Sequence, residues 1–459
     1  MRSKPLIYPM IPIAAGLITA TLDMTFQQII AIVIFTGIIG GTLLFWRFRI
    51  AFALIGISLL MATGVIDIPT FITFASLDVI LFLLCMMTVI GFLEERKFFE
   101  VVVDRTLRLG GDSATKLIII IMFMSALSAA LVDEVTSILF MMASVITISA
   151  RLQVPLFPLM LITVFATNIG SSATVVGNPI GVLIALNSGY GFLDFLRWAT
   201  PPAIMATLVT FVVCRMYYRD FFKELDTKLK SAKLVTIQVT GNQNAVSNFK
   251  LDRTALLLFV GVIGGLVLHT PIEELLGLKK NTMLIGVALI GAGAALLLER
   301  DKARELLEKR VDWWTLTFFL LFFASVGTLK YTGVTSAIAD ALMDFFSLPS
   351  LVWIPGFYML VGLMSAFMDN VLAVAFWIPV VQELLHLNMT HAWILWWLML
   401  FAGTYMGNLT MIGSTANIVA IGMVERQRLG HVTFLQWLKP GLAGSFPPSL
   451  VAIVWLLFQ

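Results

Sequence analysis

Charge is scarce in this chain. Of its 459 residues only 12% are Asp, Glu, Lys or Arg, against 59% hydrophobic, and the mean hydropathy is +0.97. No soluble core could hide that much apolar surface, and several segments reach the ~20 residues that a bilayer-spanning helix requires. Cysteine is scarcer still: Cys85 and Cys214 fall in different apolar segments, which excludes a disulfide framework and a thiolate metal centre. The four histidines, His269, His386, His391 and His431, show no HExxH or paired-carboxylate spacing, so a catalytic metal is not expected. A Walker motif is missing, so no cofactor is expected and ATP is not the energy source of this chain by itself; an ATPase subunit supplied by another chain is compatible with the sequence. The basic runs at 223–233 and 300–310 read as topology determinants with anionic lipid within range, not as nucleic-acid sites. Residues 1–22 lack a good small-residue cleavage pattern and read as an extra N-terminal transmembrane helix.

Against this background two polar stretches stand out inside long apolar runs. Residues 168–181 read NIGSSATVVGNPIG and residues 406–417 read MGNLTMIGSTAN. Polar, Gly- and Pro-containing backbone at bilayer depth is tolerated only where protein or a water-filled cavity surrounds it, because lipid offers a broken helix no hydrogen bonds. An aspartate precedes each threonine by 41 residues: Asp133 before Thr174, and Asp369 before Thr410. A single offset of 236 residues superposes both pairs, and also Gly177 on Gly413. Such scarce polar and turn residues carry the repeat; apolar identities do not.

Both aspartates sit in the middle of apolar runs, at 117–150 and 350–386. The first of these would form a helix of roughly 50 Å against a hydrocarbon core of ~30 Å, so it must double back, with Asp133-Glu134 at its tip. The remaining pattern predicts eleven crossings, near 6–22, 26–46, 50–66, 75–93, 157–187, 192–214, 254–272, 281–298, 312–330, 392–424 and 441–458. Those at 157–187 and 392–424 are broken by the polar motifs. With the N-terminus inside, 26 of the 30 Lys and Arg lie on the cytoplasmic side, leaving Arg197, Lys279, Lys280 and Lys330 outside, as the positive-inside rule requires. An odd number of crossings then separates the two motifs. The expected architecture is an all-α polytopic membrane protein of about 11 transmembrane helices plus two helical hairpins, in two inverted-topology repeats. Its parts are the N-terminal helix (1–22), a first repeat (23–222), a cytoplasmic linker (223–252) and a second, inverted repeat (253–459), in the inner cell membrane.

The chemistry follows from what such bends expose. A carboxylate at bilayer depth costs at least ~2.5 kcal/mol, so it faces protein or water and pairs, or carries ions or protons. Asp133, Glu134, Asp369 and Asn370 at the two tips are therefore candidate ion-binding residues; the bland alternative is that the aspartates only cap helix N-termini. Each broken span frees amides on one half-helix and carbonyls on the other, and carbonyl ends with Thr, Ser or Asn oxygens suit a hard cation. Thr174, Asn178, Asn408, Thr410, Ser414 and Asn417 complete the candidate set, with Gly177 and Gly413 letting the backbone approach. A sodium ion is expected at Asp133, Asn178, Asp369 and Ser414, unless the hydroxyls simply bond back to their own helices.

At these motifs, and at residues 91–111 (GFLEERKFFEVVVDRTLRLGG) and 365–371 (SAFMDNV), the chain resembles the ion transporter superfamily. The nearest likeness is to the arsenite permeases, the D-type sodium-proton antiporters and the melanosomal P protein, with a citrate-transporter-like domain. That resemblance implies a homodimer in which a scaffold holds a mobile transport domain. The chain departs from relatives at Asn178, where many carry aspartate, and at the Asp133-Glu134 tip, where Asp-Asn is common. The function expected is secondary active transport by alternating access, coupled to H⁺ or Na⁺. Export of a small inorganic ion or oxyanion of the arsenite type comes first and sodium-proton antiport second. Carboxylate transport is weaker because the twin Ser-Asn-Thr tips are absent. A channel or an intramembrane aspartyl protease is weaker still, since neither aspartate lies in a GxGD setting.

Overall fold

The computed structural model describes residues 7–22, 24–107, 113–238, 251–387 and 393–459, and all regular structure among them is helical. Nine of these helices are long and apolar enough to cross a membrane, or up to eleven when two bent pairs are each taken as one span. Helix is the only solution available to an apolar segment that must satisfy its own backbone. Three of the nine are hairpin arms, while the two interrupted spans contribute only half-length helices, so the tally is reached by a different route from the one expected. The N-terminal span is shorter than expected: its helix runs Met10–Ala20, roughly 16 Å at 1.5 Å per residue, and residues 1–6 lie outside the described residues. The segment 223–252 is not a plain linker either. The helix Arg219–Gln238 occupies its first half, and 239–250, with the GNQN sequence, lie outside the described residues, as do 108–112 and His391.

The offset of 236 holds for whole elements. Helix Leu77–Glu95 falls on Trp313–Tyr331 and helix Ala114–Leu131 on Ser350–Phe367, both end to end. The helices beginning at Phe98, Glu134 and Pro179 fall on those beginning at Val334, Asn370 and Thr415. Two side-chain clamps repeat as well: Thr174 Oγ1 donates to the carbonyl of Ala130, and Thr410 Oγ1 to the carbonyl of Ala366. Each clamp ties an interrupted span to the incoming arm of its hairpin, just before the tip.

The two halves run in opposite directions. One cavity, of ≈ 290 Å³, is lined by Glu94 at the end of Leu77–Glu95 and by Asp312 and Thr315 at the start of Trp313–Tyr331. A second, of ≈ 200 Å³, is lined by Ser76, just before the first helix, and Lys330, near the end of the second. The mated helices are therefore antiparallel, as an inverted duplication demands. The hairpin tips meet: Asn370 Nδ2 lies 3.3 Å from both carboxylate oxygens of Glu134, its own mate under the offset. First-hairpin arms of 18 and 19 residues are about 27 Å long, so two hairpins meeting tip to tip in a ~30 Å core must tilt or project beyond it.

Close helix contact supports the first hairpin. Gly170 on Leu156–Ser171 faces the backbone of Ala126, and a Cβ there would overlap the Ala126 carbonyl. On the cytoplasm-expected side, Arg96 bridges Asp252 (3.0 Å) and Glu299 and lies 3.8 Å over the Phe92 ring. Burial works against the Asp252 anion, but the amides of Thr254 and Ala255 and the Arg96 charge outweigh it and hold this carboxyl below its usual range.

Two substitutions test this packing by thermal unfolding in detergent. Gly170→Ala is expected to destabilise the fold by about 1–3 kcal/mol, the usual cost of overpacking. Thr410→Val, which leaves the Ala366 carbonyl buried without its donor, is expected to cost about 1–3 kcal/mol, whereas Thr410→Ser keeps the hydroxyl and most of the stability. Wild-type unfolding temperatures for both Gly170→Ala and Thr410→Val would contradict these assignments.

Candidate ion-binding site

Each tip aspartate caps the helix that follows it. Asp133 Oδ1 accepts from the amides of Val135 and Thr136, both at 2.8 Å. Asp369 Oδ1 accepts from the amide of Val371 at 3.1 Å, and its Oδ2 accepts from the Thr415 hydroxyl. These are the free N–H groups that a helix start must place somewhere. The interrupted spans restart in the same way. Asn178 Oδ1 accepts from the Gly181 amide at 2.8 Å, and Ser414 Oγ from the Ala416 amide at 3.2 Å. The expected sodium ligands Asp133, Asn178, Asp369 and Ser414 thus each spend an oxygen on a local cap. Asp133 is only half-buried, while Asp369 is buried.

The acid that the structure places at the meeting point is Glu134. It is 1% exposed, and its carboxylate is approached by Asn370 Nδ2 at 3.3 Å, Ser171 Oγ at 3.4 Å and Ser414 Oγ at 3.4 Å. Both serine hydroxyls have a nearer acceptor: Ser171 Oγ lies 2.9 Å from the carbonyl of Asn168, and Ser414 Oγ lies 3.1 Å from Asn168 Oδ1. A hydroxyl carries one hydrogen and can serve one acceptor at full strength. Glu134 is therefore surrounded by polar atoms yet holds no short hydrogen bond among the described residues. Among the described residues no lysine or arginine bonds to it.

Asn168 organises the rest. Its Nδ2 donates to Asn408 Oδ1 at 2.7 Å and Asn417 Oδ1 at 2.9 Å, joining the two interrupted spans. Asn417 Nδ2 donates in turn to the carbonyls of Gly407 and Thr410, both at 2.8 Å, and Asn408 Nδ2 to the carbonyl of Gly444 at 3.0 Å. Asn178 Nδ2 donates to Ser171 Oγ at 2.8 Å. Gly177 and Gly413 make the close turns possible, because a Cβ on either would strike a carbonyl, that of Ser171 or its counterpart Gly407. Glu134, Asn178, Asn370, Asn408, Thr410, Ser414 and Asn417 are thus linked in one buried polar hub, whereas Asp133 bonds the amides it caps, Thr174 the Ala130 carbonyl, and Asp369 the Val371 amide and Thr415. Asn168 and Ser171 belong to it too, and Thr415 holds Asp369 beside it; sequence reasoning did not select these three, although all stand inside the two motifs already singled out.

A further residue was missed outright. Arg49, the first residue of the helix Arg49–Ala62, is not among the candidates that the sequence offers. Arg49 is 6% exposed, the only Lys or Arg that is fully buried among the described residues. Its Nη2 donates to Thr315 Oγ1 at 2.8 Å. Among the described residues no three His, Cys, Asp or Glu side chains converge as a transition-metal site would need.

Comparison with known proteins agrees with this architecture. The chain is 28% identical over 385 residues to a 46 kDa membrane protein of Mycobacterium leprae, covering 83% of this chain and 85% of the relative. It is 23% identical over 460 residues to a silicon efflux transporter of Oryza sativa subsp. japonica (88% and 91%). The human P protein is 23% identical over 448 residues, covering 81% of this chain and 52% of that protein. Among solved structures, the crystal structure of the Alcanivorax borkumensis YdaH transporter, reported to have an unusual topology, aligns with a TM-score of 0.57 at 16% identity over 88% of each chain, a likeness of fold. A family model described as citrate transporter matches residues 30–402. The chain is an integral membrane protein and belongs to the citrate transporter family.

Proposed function

We propose that the protein is a secondary active transporter that works by alternating access and exports a small inorganic solute of the arsenite or silicic acid class in exchange for protons, with Glu134 as the exchanging group. The observation that carries this is the Glu134 carboxylate: buried, ringed by Asn370, Ser171 and Ser414, and without a short hydrogen bond from any of them. A group so placed gains by taking up a proton or a small cation, and a buried acid of this kind marks an ion or proton pathway. The hub offers neutral amide and hydroxyl oxygens and, among the described residues, no Lys or Arg bonded to it. That environment suits a small neutral hydroxylated solute and disfavours a polyanion such as citrate, whose three carboxylates would face Glu134, Asp133 and Asp369. The likeness to a silicon efflux transporter supports the same solute class.

Alternating access draws support from the paired cavities. The larger one extends to Asp133, Glu134 and Asn178 and is rimmed by Lys309 and Arg310. Its mate under the 236 offset stops at Ala375 and Leu183. A chain of bonds bridges the mate: Lys330 Nζ donates to Gln382 Oε1 at 2.7 Å, and Gln382 Nε2 to Asn187 Oδ1 at 3.0 Å. The first cavity thus reaches the hub while the second stops short of it, an asymmetry expected of one of two exchanging states. The orientation follows the Lys and Arg bias: the side of the first cavity is cytoplasmic, with the N-terminus and the 223–252 segment on the same face. A homodimer is the assembly we propose, on the family resemblance.

Sodium-proton antiport is the second reading, favoured by the acid-rich hub with oxygen ligands that suit Na⁺. Purified protein in vesicles separates the two. A proton gradient is expected to drive arsenite or silicic acid uphill, and Glu134→Gln to lower that flux at least about tenfold while the protein stays folded. Sodium-dependent recovery of quenched pH-probe fluorescence, without solute flux, would favour the antiporter instead, and purely downhill flux would point to a channel. Because Cys85 and Cys214 are buried, thiol labelling reports the cavities cleanly. Leu139→Cys in the cavity that reaches the hub is expected to react faster than Ala375→Cys at its mated position, and solute with a gradient to narrow the difference. Equal labelling rates throughout would count against alternating exposure.

A further inference from the structure

The two cavities are mated by the repeat, yet they end differently. The first extends to Asp133, Glu134 and Asn178, whereas the second stops at Leu183 and Ala375. Those two residues stand five positions past Asn178 and Asn370, where two helices start in the hub, so roughly 7 Å of either helix separates the second cavity from it. At the far ends of the same two helices a relay of hydrogen bonds lines the second cavity. Lys330 Nζ donates to Gln382 Oε1 at 2.7 Å, Gln382 Nε2 to Asn187 Oδ1 at 3.0 Å, and Asn187 Nδ2 to the carbonyl of Leu183 at 2.8 Å. A lysine only donates and a carbonyl only accepts, so both amides are oriented from both ends and the relay runs in one direction. It ties together three elements, Trp313–Tyr331, Asn370–His386 and Pro179–Ser188. Lys330 and Gln382 are half-buried and Asn187 is exposed, so these bonds can be exchanged for bonds to water.

The repeat shows that the relay is one-sided. Under the 236 offset, Lys330, Gln382 and Asn187 fall on Glu94, Ile146 and Met423. Ile146 has no polar side-chain atom and Met423 only a weakly accepting sulfur, so the mated positions cannot form a relay; Glu94 is met by Arg310 Nη1 at 3.3 Å. We propose that Lys330, Gln382 and Asn187 form a latch. Intact, it holds the far ends of the two helices together and keeps the second cavity from the hub; released, it lets that side open. This rests on the alternating exposure proposed above. A bond made in one of two exchanging states and lost in the other shifts their populations by its differential energy, and the apolar mates leave that shift without a counterweight on the opposite side. The state in which the first cavity reaches the hub is therefore the resting one. The three are positioning residues, acting through the helices that begin at Asn178 and Asn370, and Lys330, one of the four basic residues expected outside, has a task beyond topology.

Thiol labelling of the full chain in vesicles tests the latch. Gln382→Leu and Lys330→Met are each expected to speed labelling of Ala375→Cys and slow that of Leu139→Cys, changing the ratio of the two rates roughly tenfold, the weight of one charge-assisted bond. Combining the two substitutions should add nothing further, because either alone breaks the relay, and Lys330→Arg, which still donates, should stay near the wild-type ratio. Unchanged rates at both positions in the folded variants would overturn the latch. Equal acceleration at both would overturn it too, since that marks general loosening. If Gln382→Leu does not fold, Asn187→Ala at the exposed end of the relay decides in its place. Faster labelling of Ala375→Cys with Leu139→Cys unchanged would uphold the latch as a local closure and count against alternating exposure.

Discussion

A peptide group deprived of its helical partner inside a membrane has nowhere to turn but to the protein, and the architecture of this chain follows from that constraint. Four helix starts are buried at its centre, after Asp133, Asn178, Asp369 and Ser414, and at each the capping side chain accepts from the exposed amides. Thr174 and Thr410 then fasten the irregular backbone to the hairpin arms through the carbonyls of Ala130 and Ala366. Asn168 then joins the two interrupted spans through Asn408 and Asn417, whose own amide groups bond the carbonyls of Gly444, Gly407 and Thr410. Glu134 is what the network leaves over, and a leftover acid in an otherwise satisfied centre is the natural place for chemistry.

Much of this was legible in the residues, for a definite reason. Polar and turn-forming side chains are so rare in apolar spans that a spacing shared by two of them carries information. The pairs Asp133/Thr174 and Asp369/Thr410 foretold the offset that later aligned whole helices. The doubled-back runs were legible from length alone, because a 34-residue apolar stretch cannot cross once. Which of Asp133 and Glu134 faces the partner hairpin is not legible. In sequence the two are neighbours at one tip, and only the rotation of the first helical turn decides which side chain caps and which faces the partner hairpin.

Arg49 marks the limit of such reading. Lys and Arg counts treat every basic residue beside a span as a topology signal, and Arg47, which is exposed, fits that view. Arg49, two residues on, begins a helix and turns inward against Trp46, Phe318 and Thr315, the last two 266 or more positions away. No local pattern announces a contact of that range. The helical start of the 223–252 segment was missed for a related reason: a polar, charged stretch looks like a linker whether or not it coils.

The encounter of Glu134 with Asn370 has a consequence for how such a molecule can descend from a doubled gene. Whatever stands at the axis of a duplicated, inverted chain meets its own copy. Had both copies kept the acid, two carboxylates about 3.3 Å apart could not both be ionised, and the ancestral centre would have titrated as a coupled dyad. Amide at one copy and acid at the other turns self-repulsion into a donor–acceptor match. The two halves are thus chemically distinguishable at the point where they touch.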